Sequence, residues 1–346
     1  MQVKLQERTT PMHAISLNGP SFDHLTRTEV PDPQPPGHAQ ALIRMHAASL
    51  NFIDLAVALG KYPGIDYPLI PVADGVGEVI AIGDGVSGFA IGDRVALHPK
   101  AIWFAGQGTA ERAGVTRGVT LPGSLIEVAT ADAGSLVKIA DHLSWEAAAT
   151  TPIAATTAWN ALVCADIGPG STAVFLGTGG VSLLGLQLAK TRGARVIVTS
   201  SSDKKLEFAR KLGADATINY SRSSDWDLQV LELTNGLGAD LVLDTVGTDT
   251  FVRSLAATRY GGVIFTIGFV TGTNLQIDLM PIIVKALRVQ GNNTGSAEDF
   301  GKAMKAIDAA QIAPVVAQTY SVNNVAEAYR AQSKGPLGKL AIRLDW

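Results

Sequence analysis

TAVFLGTGGVSLLGLQLAKTRGARVIVTSSS, residues 172 to 202, decides how the rest of the chain is read. Ala173, Val174, Phe175 and Leu176 form an uninterrupted apolar run, the mark of a strand buried on both faces. The run stops at Gly177, Gly179 and Gly180, and Val181, Leu183, Leu184, Leu186 and Leu188 then make a helix apolar over most of its circumference. Arg195 to Val198 resumes as a second strand. A strand, a glycine turn, a helix and a strand within about 30 residues make the unit whose helix N-terminus holds a dinucleotide pyrophosphate. Two phosphates require unsatisfied N–H groups and a backbone approach closer than a Cβ permits, which Gly179 and Gly180 allow. The usual third glycine falls on Ser182, so looser packing of helix on strand is expected.

The end of the second strand speaks to the cofactor. Enzymes using the unphosphorylated dinucleotide place Asp or Glu there, about 20 residues after the glycines, to bond the ribose 2′-hydroxyl. This chain has Thr199, Ser200, Ser201 and Ser202, followed by Lys204 and Lys205. Hydroxyls and a lysine suit a 2′-phosphate that a carboxylate would repel, so NADP(H) is expected over NAD(H). Asp203 reads as first-turn charge on a helix capped by Ser202.

The chain has 346 residues, enough for two cores, with 28 basic and 31 acidic residues. That balance leaves no electrostatic footprint for nucleic acid or an anionic membrane. No apolar run reaches the ~18 residues of a membrane span and no signal-peptide core is seen, so a cytoplasmic protein is expected. The single cysteine, Cys164, excludes an intrachain disulfide and a Cys-rich zinc site, and it reads as a buried structural thiol. The histidines show no HxxxH or HxH spacing.

Short strands punctuated by turns fill residues 1 to about 155, with candidates at 39–47, 75–82, 93–97, 125–130 and 136–139, a compact β-rich domain of partly barrel-like character. Between them lies a long loop, 99–121, whose Trp103 and Phe104 read equally as a cover for an apolar substrate pocket and as aromatic filling of the loop. One helix is expected from Trp145 through the alanines to Trp159. Buried strands then recur at 172–177, 195–200, 216–219, 240–245, 262–267 and 287–290, alternating with helices, which is the pattern of a doubly wound parallel sheet. A helix at 298–309, a strand at 315–319, a helix from 322 and a strand at 339–344 complete the chain. The fold class is thus α/β, a β-rich domain of 1–155 and 293–346 interrupted by a nucleotide domain of 156–292, with ligands expected at the carboxyl ends of the strands.

Asn51-Phe-Ile-Asp54, Pro71-Val-Ala-Asp-Gly-Val-Gly77, Gly92-Asp-Arg-Val95, Gly177-Thr-Gly-Gly-Val181 and Leu212-Gly-Ala214 together resemble the medium-chain dehydrogenase/reductase superfamily over nearly the whole chain. The zinc-free quinone oxidoreductase-like branch is the one they are most similar to. The resemblance implies a GroES-like catalytic domain with a Rossmann domain. It also implies no metal, because the family's catalytic Cys, His and second Cys fall on Asn51, Ala73 and Ala155 or Thr156, and the loop 99–121 lacks the four structural cysteines. Asp54 and Asp74 match acidic positions near that zinc, with structural hydrogen bonding an equal reading. By the same resemblance, Gly177, Thr178, Gly179, Gly180 and Val181 bind the pyrophosphate, and Ser200, Ser201, Lys205 and Tyr220 surround the 2′-phosphate. Thr157, Val246, Ile267, Gly268 and Asn292 line the nicotinamide side, and Lys339 matches a basic residue that reaches the pyrophosphate.

Without a metal, hydride transfer must rest on positioning against an acceptor that is already electron-poor, a quinone or an α,β-unsaturated carbonyl. Asn51 would hydrogen-bond the acceptor oxygen as charge develops, and Tyr62 or solvent would supply a proton. A metal-independent, alcohol dehydrogenase-like carbonyl reductase and a non-catalytic NADPH-binding protein are the competing expectations. A homodimer formed through the last strand, 287–290, is expected as well.

Overall fold

The computed structural model describes residues 11 to 346. Two compact units result, one from the residues up to Ile153 together with Gly295–Trp346, the other from Ala154–Thr294.

The first unit opens with the antiparallel pair β1 (Met12–Leu17) and β2 (Leu25–Val30). There follow β3 (Gln40–Ser49), α1 (Phe52–Ala58), β4 (Asp74–Ile82), β5 (Arg94–Leu97), α2 (Ala110–Gly114), β6 (Val128–Asp132), β7 (Leu136–Lys138) and α3 (Trp145–Ala149). Entering the second unit, α4 (Pro152–Cys164) leads to β8 (Thr172–Leu176), α5 (Gly180–Thr191), β9 (Arg195–Ser200), α6 (Asp203–Lys211), β10 (Ala216–Asn219) and α7 (Trp226–Leu233). β11 (Ala239–Asp244), α8 (Phe251–Ala257), β12 (Thr258–Thr266), α9 (Met280–Val284) and β13 (Arg288–Gly291) complete that unit. The chain returns to the first unit with α10 (Ala297–Ala309), β14 (Val316–Ser321), α11 (Val325–Gln332) and β15 (Lys339–Arg343).

In the second unit the strand order is β10-β9-β8-β11-β12-β13, and every pairing is parallel. Val174, Phe175, Val196, Ile197, Val242 and Ile264 are fully buried, as strands covered on both faces require. The first unit arranges β14-β15-β3-β4-β5-β7 in one sheet, with β6 on β3. Leu17, Ile43, Val79, Val95, Leu97, Leu125 and Ile342 form its core together with Tyr329 of α11.

Two expectations are corrected. The single helix from Trp145 to Trp159 is two, because the Thr150 and Thr151 hydroxyls turn back onto the Ala147 and Ala148 carbonyls, each at 2.7 Å, and Pro152 starts afresh. Loop 99–121 holds the short α2. Trp103 donates through its ring nitrogen to the Gly106 carbonyl (2.9 Å), Phe104 lies on Gly134, and both carbonyls accept first-turn N–H groups of α10 at 2.9 Å. Cys164 is only half-buried, and that burial raises its thiol above the ordinary range.

Candidate functional site

Register sets most of the expected cofactor residues on one edge of the parallel sheet. Asn219 pairs with Ser200, Leu176 with Thr199, Phe175 with Leu243, Asp244 with Thr266, and Thr266 with Gly291. Gly177, Ser200, Ser201, Tyr220, Val246, Ile267, Gly268 and Asn292 therefore all lie at or just past the carboxyl ends of their strands. The order reverses direction between β8 and β11, the switch point at which open α/β sheets take ligands. There the Thr245 hydroxyl donates to the Leu176 carbonyl across the gap at 2.8 Å.

The glycine turn is sharp and open. Gly177 holds φ +76°, a left-handed conformation that turns the chain sharply out of β8. Gly179 is the N-cap of α5 with no side-chain cap, and a Cβ built on it meets nothing within 4 Å. An uncapped helix start under open space offers its N–H groups and dipole to an anion. Ser182 does not loosen the packing as expected. It is buried, and its hydroxyl donates to the Leu176 carbonyl at 2.8 Å, so the side chain joins helix to strand. The close approach is made by Gly185, where a Cβ would stand 2.6 Å from the Phe175 ring.

At the β9 end Ser200 is buried and Ser201 exposed, while Tyr220 is exposed and donates its N–H to the Ser200 carbonyl at 3.1 Å. Ser202 is the N-cap of α6, but its hydroxyl makes no capping bond, contrary to expectation. Lys205 lies in the first turn of α6, and Thr157 is buried in α4. On the other side of the switch point, Asp244 organises the loop after β11. Its carboxylate accepts from the Val246 and Gly247 amides (3.0 and 3.1 Å), from Thr250 (2.8 and 2.9 Å) and from Ser254 (2.7 Å). Gly268 packs so tightly on Thr245 that a Cβ would overlap its carbonyl. Sequence reasoning missed Asp244; a strand-end Asp followed by Thr250 and Ser254 on a helix was the available signal.

Asn51, Asp54, Asp74 and Lys339 form a separate cluster within the first unit. Asn51 caps the short α1, and its backbone N–H donates to Asp54 Oδ2 at 2.7 Å. Asp54 Oδ1 accepts from the Ala73 amide at 2.9 Å. The Asn51 amide is held at both ends, Nδ2 donating to Asp74 Oδ2 at 2.8 Å and Oδ1 accepting from the Lys339 ammonium. Lys339 also stands 3.3 Å from Asp74 Oδ2, and Asp74 Oδ1 takes the Ile153 amide at 3.0 Å. Lys339 is 6% exposed, so in this arrangement its charge is committed to Asn51 and Asp74. Tyr62 packs against the apolar core from a neighbouring loop.

Burial dominates the electrostatics of this cluster. Desolvation lifts Asp54 to about 6, opposed by the Asn51 and Ala73 amides and reinforced by Asp74. It raises Asp74 and lowers Lys339 as well, and their mutual attraction opposes both shifts. The Tyr329 hydroxyl, buried without a hydrogen bond, is pushed well above its usual range by desolvation and then by the Asp54 charge. Among the described residues no group of three or more His, Cys, Asp or Glu is placed to hold a metal ion, and no helix is long and apolar enough to cross a membrane.

Two family descriptions match the chain: zinc-binding dehydrogenase over residues 180–309, and alcohol dehydrogenase GroES-like domain over 37–141. A zinc-type alcohol dehydrogenase-like protein of Schizosaccharomyces pombe is 37% identical over 94% of this chain and 96% of its own. An acryloyl-coenzyme A reductase of Sulfurisphaera tokodaii is 31% identical over 96% and 100%. Among solved structures, an NAD-dependent alcohol dehydrogenase superposes with a TM-score of 0.87 at 30% identity, covering 96% of this chain and 100% of that one. A mycobacterial quinone oxidoreductase and the mycobacterial Rv1454c complexed with NADPH do so at TM-scores of 0.79 and 0.80, both 26% identical over 96% and 100%. A GroES-like unit, a Rossmann sheet with an open glycine turn and full-length likeness to these proteins lead to one conclusion: the chain belongs to the medium-chain dehydrogenase/reductase superfamily of oxidoreductases.

Proposed function

We propose that the chain is an NADP(H)-dependent oxidoreductase that delivers hydride to a quinone or an α,β-unsaturated carbonyl without a metal. The observation that carries this reading is the open, uncapped glycine start of α5 at the switch point, flanked at the β9 end by Ser200 and Ser201 where a carboxylate would favour NAD(H). A diphosphate fits that start: the space over Gly179 is the space a Cβ would fill. Gly177 to Val181 would hold the pyrophosphate, Ser200, Ser201, Lys205 and Tyr220 the 2′-phosphate, and Thr157, Val246, Ile267, Gly268 and Asn292 the nicotinamide side. When bound, the dinucleotide supplies a hydride to an electron-poor carbon.

A zinc ion does not fit the cluster at Asn51. Its neighbours are an amide, two buried carboxylates already satisfied by backbone N–H groups, and an ammonium that would repel a dication. The second Asn51 Nδ2 hydrogen is the group we assign to the acceptor oxygen. With Oδ1 polarised by Lys339, that N–H is a stronger donor, and its direction is fixed by Asp74. Lys339, which the resemblance directs to the pyrophosphate, acts in this reading on Asn51. Tyr62 or solvent would deliver the proton. The name of the acryloyl-coenzyme A reductase supports an activated double bond as acceptor.

The names of the alcohol dehydrogenase relatives favour a second reading, a carbonyl reductase. NADPH oxidation with quinones, enones and simple ketones, each with added zinc and with chelator, separates the two. The first predicts turnover of quinones or enones that neither addition alters; ketone turnover restored by zinc would favour the second. Cofactor binding with no turnover of any acceptor would indicate a binding protein. We further propose a homodimer through β13, whose four residues are all exposed beside Leu279, Met280, Ile283 and Val284 of the α9 region. A single cysteine suits the reducing cytoplasm this reading expects.

A further inference from the structure

The loop after β10 carries a cation that neither the glycine fingerprint nor the hydroxyl pattern picks out. Arg222 reaches back to the first residue of α6 and pairs with the Asp203 carboxylate through Nη2. Asn219 fixes both partners. Its Nδ2 donates to Asp203 Oδ1 at 2.7 Å, its Oδ1 accepts the Ser221 amide at 3.0 Å, and its carbonyl accepts the Arg222 amide at 3.1 Å. Asn219 is also the residue in register with Ser200, and Tyr220 bonds Ser200. Arg222 and Asp203 thus flank the residues assigned above to the 2′-phosphate. Asn219 and then Arg222 hold the Asp203 carboxyl below its ordinary range, so it is charged at neutral pH.

We propose that Asp203 and Arg222 form a discriminating pair for the cofactor, in which Arg222 leaves Asp203 to grip the 2′-phosphate and Asp203 sets the limit on how tightly that phosphate is held. The inference rests on the NADP(H) reading. The side chains are 74% and 57% exposed, and an exposed ion pair contributes little, so opening it costs little. A phosphate offers the guanidinium two or three charged acceptors in place of one carboxylate, a match that a planar fork makes well. Asp203 does not leave with Arg222, because Asn219 retains it. It remains as a fixed negative charge beside a bound phosphate, which opposes binding, whereas a 2′-hydroxyl meets no such opposition. A carboxylate at the start of α6 and a guanidinium two residues past Tyr220 therefore act in opposite senses on the NADPH to NADH ratio.

Calorimetric titration of the full chain with 2′,5′-ADP, 5′-AMP, NADPH and NADH tests this without turnover. Arg222→Gln is expected to weaken 2′,5′-ADP and NADPH by about tenfold or more, to flatten their salt dependence, and to leave 5′-AMP and NADH unchanged, which also certifies the fold. Asp203→Asn keeps the Asn219 hydrogen bond and is expected to tighten 2′,5′-ADP by about threefold or more. A 2′,5′-ADP to 5′-AMP ratio within twofold of wild type in Arg222→Gln, or weaker 2′,5′-ADP binding in Asp203→Asn, would overturn the pair while sparing the NADP(H) reading. Wild type that prefers 5′-AMP would overturn both.

Discussion

At the residue scale the proposed chemistry belongs to the Asn51 cluster. Replacing Asn51 by Ala should lower turnover more than roughly tenfold while leaving NADPH affinity unchanged, because only a developing charge would use its N–H. Steady-state kinetics beside a binding titration check this, and unchanged turnover would remove Asn51 from the reaction. Asp54 makes a linked prediction about stability. Its folded carboxyl titrates near 6, above the unfolded value of 3.8, so the folded state takes up a proton between those limits. Stability from this group is full below about pH 4 and is lost as pH rises through 6, roughly 2 to 3 kcal/mol in all. Urea unfolding at pH 4.5 and 7 should show a larger fall in wild type than in Asp54→Asn, where the raised Asp74 carboxyl still contributes. Both motif residues, Asn51 and Asp54, are legible in the sequence; their environment is not. Lys339 meets Asn51 only because β15 pairs with β3, a contact between residues 288 positions apart that no local pattern encodes.

At the level of elements, the glycines of the β8–α5 unit divide by what surrounds them. Gly185→Ala drives a methyl against the buried Phe175 ring and should cost about 1 to 3 kcal/mol in chemical denaturation, with little effect on cofactor affinity relative to the folded fraction. Gly179→Ala meets open space at φ −77°, so its fold should stand while NADPH binding falls. Equal destabilisation by the two substitutions would contradict this division. The parallel strands were readable because burial on both faces demands unbroken apolar runs, and each run ends in a turn signal. β2 was not, since LTRTEV is only partly buried and lacks a clean alternation. α1, with seven residues, is too short to show a period. The break at Thr150–Thr151 is not legible because alanine propensity masks it, and nothing in the sequence of loop 99–121 signals that its carbonyls cap α10.

For the molecule as a whole, the exposed β13 edge and its apolar neighbours, 44% to 66% exposed at Val289, Leu279, Met280, Ile283 and Val284, are the surface of the proposed dimer. Sedimentation should give a dimer mass for wild type and a folded monomer for Ile283→Asp with Val289→Lys; a monomeric wild type would refute the assembly. The proposed function requires a diphosphate held by the backbone at the start of α5. The direct measurement is fluorescence titration of NADPH and NADH into wild type and Gly179→Val, with circular dichroism to verify folding. Saturable binding of NADPH, tighter than that of NADH and abolished in a folded Gly179→Val, is the predicted result. Failure of wild type to bind either nucleotide, or undiminished binding by the variant, would contradict it.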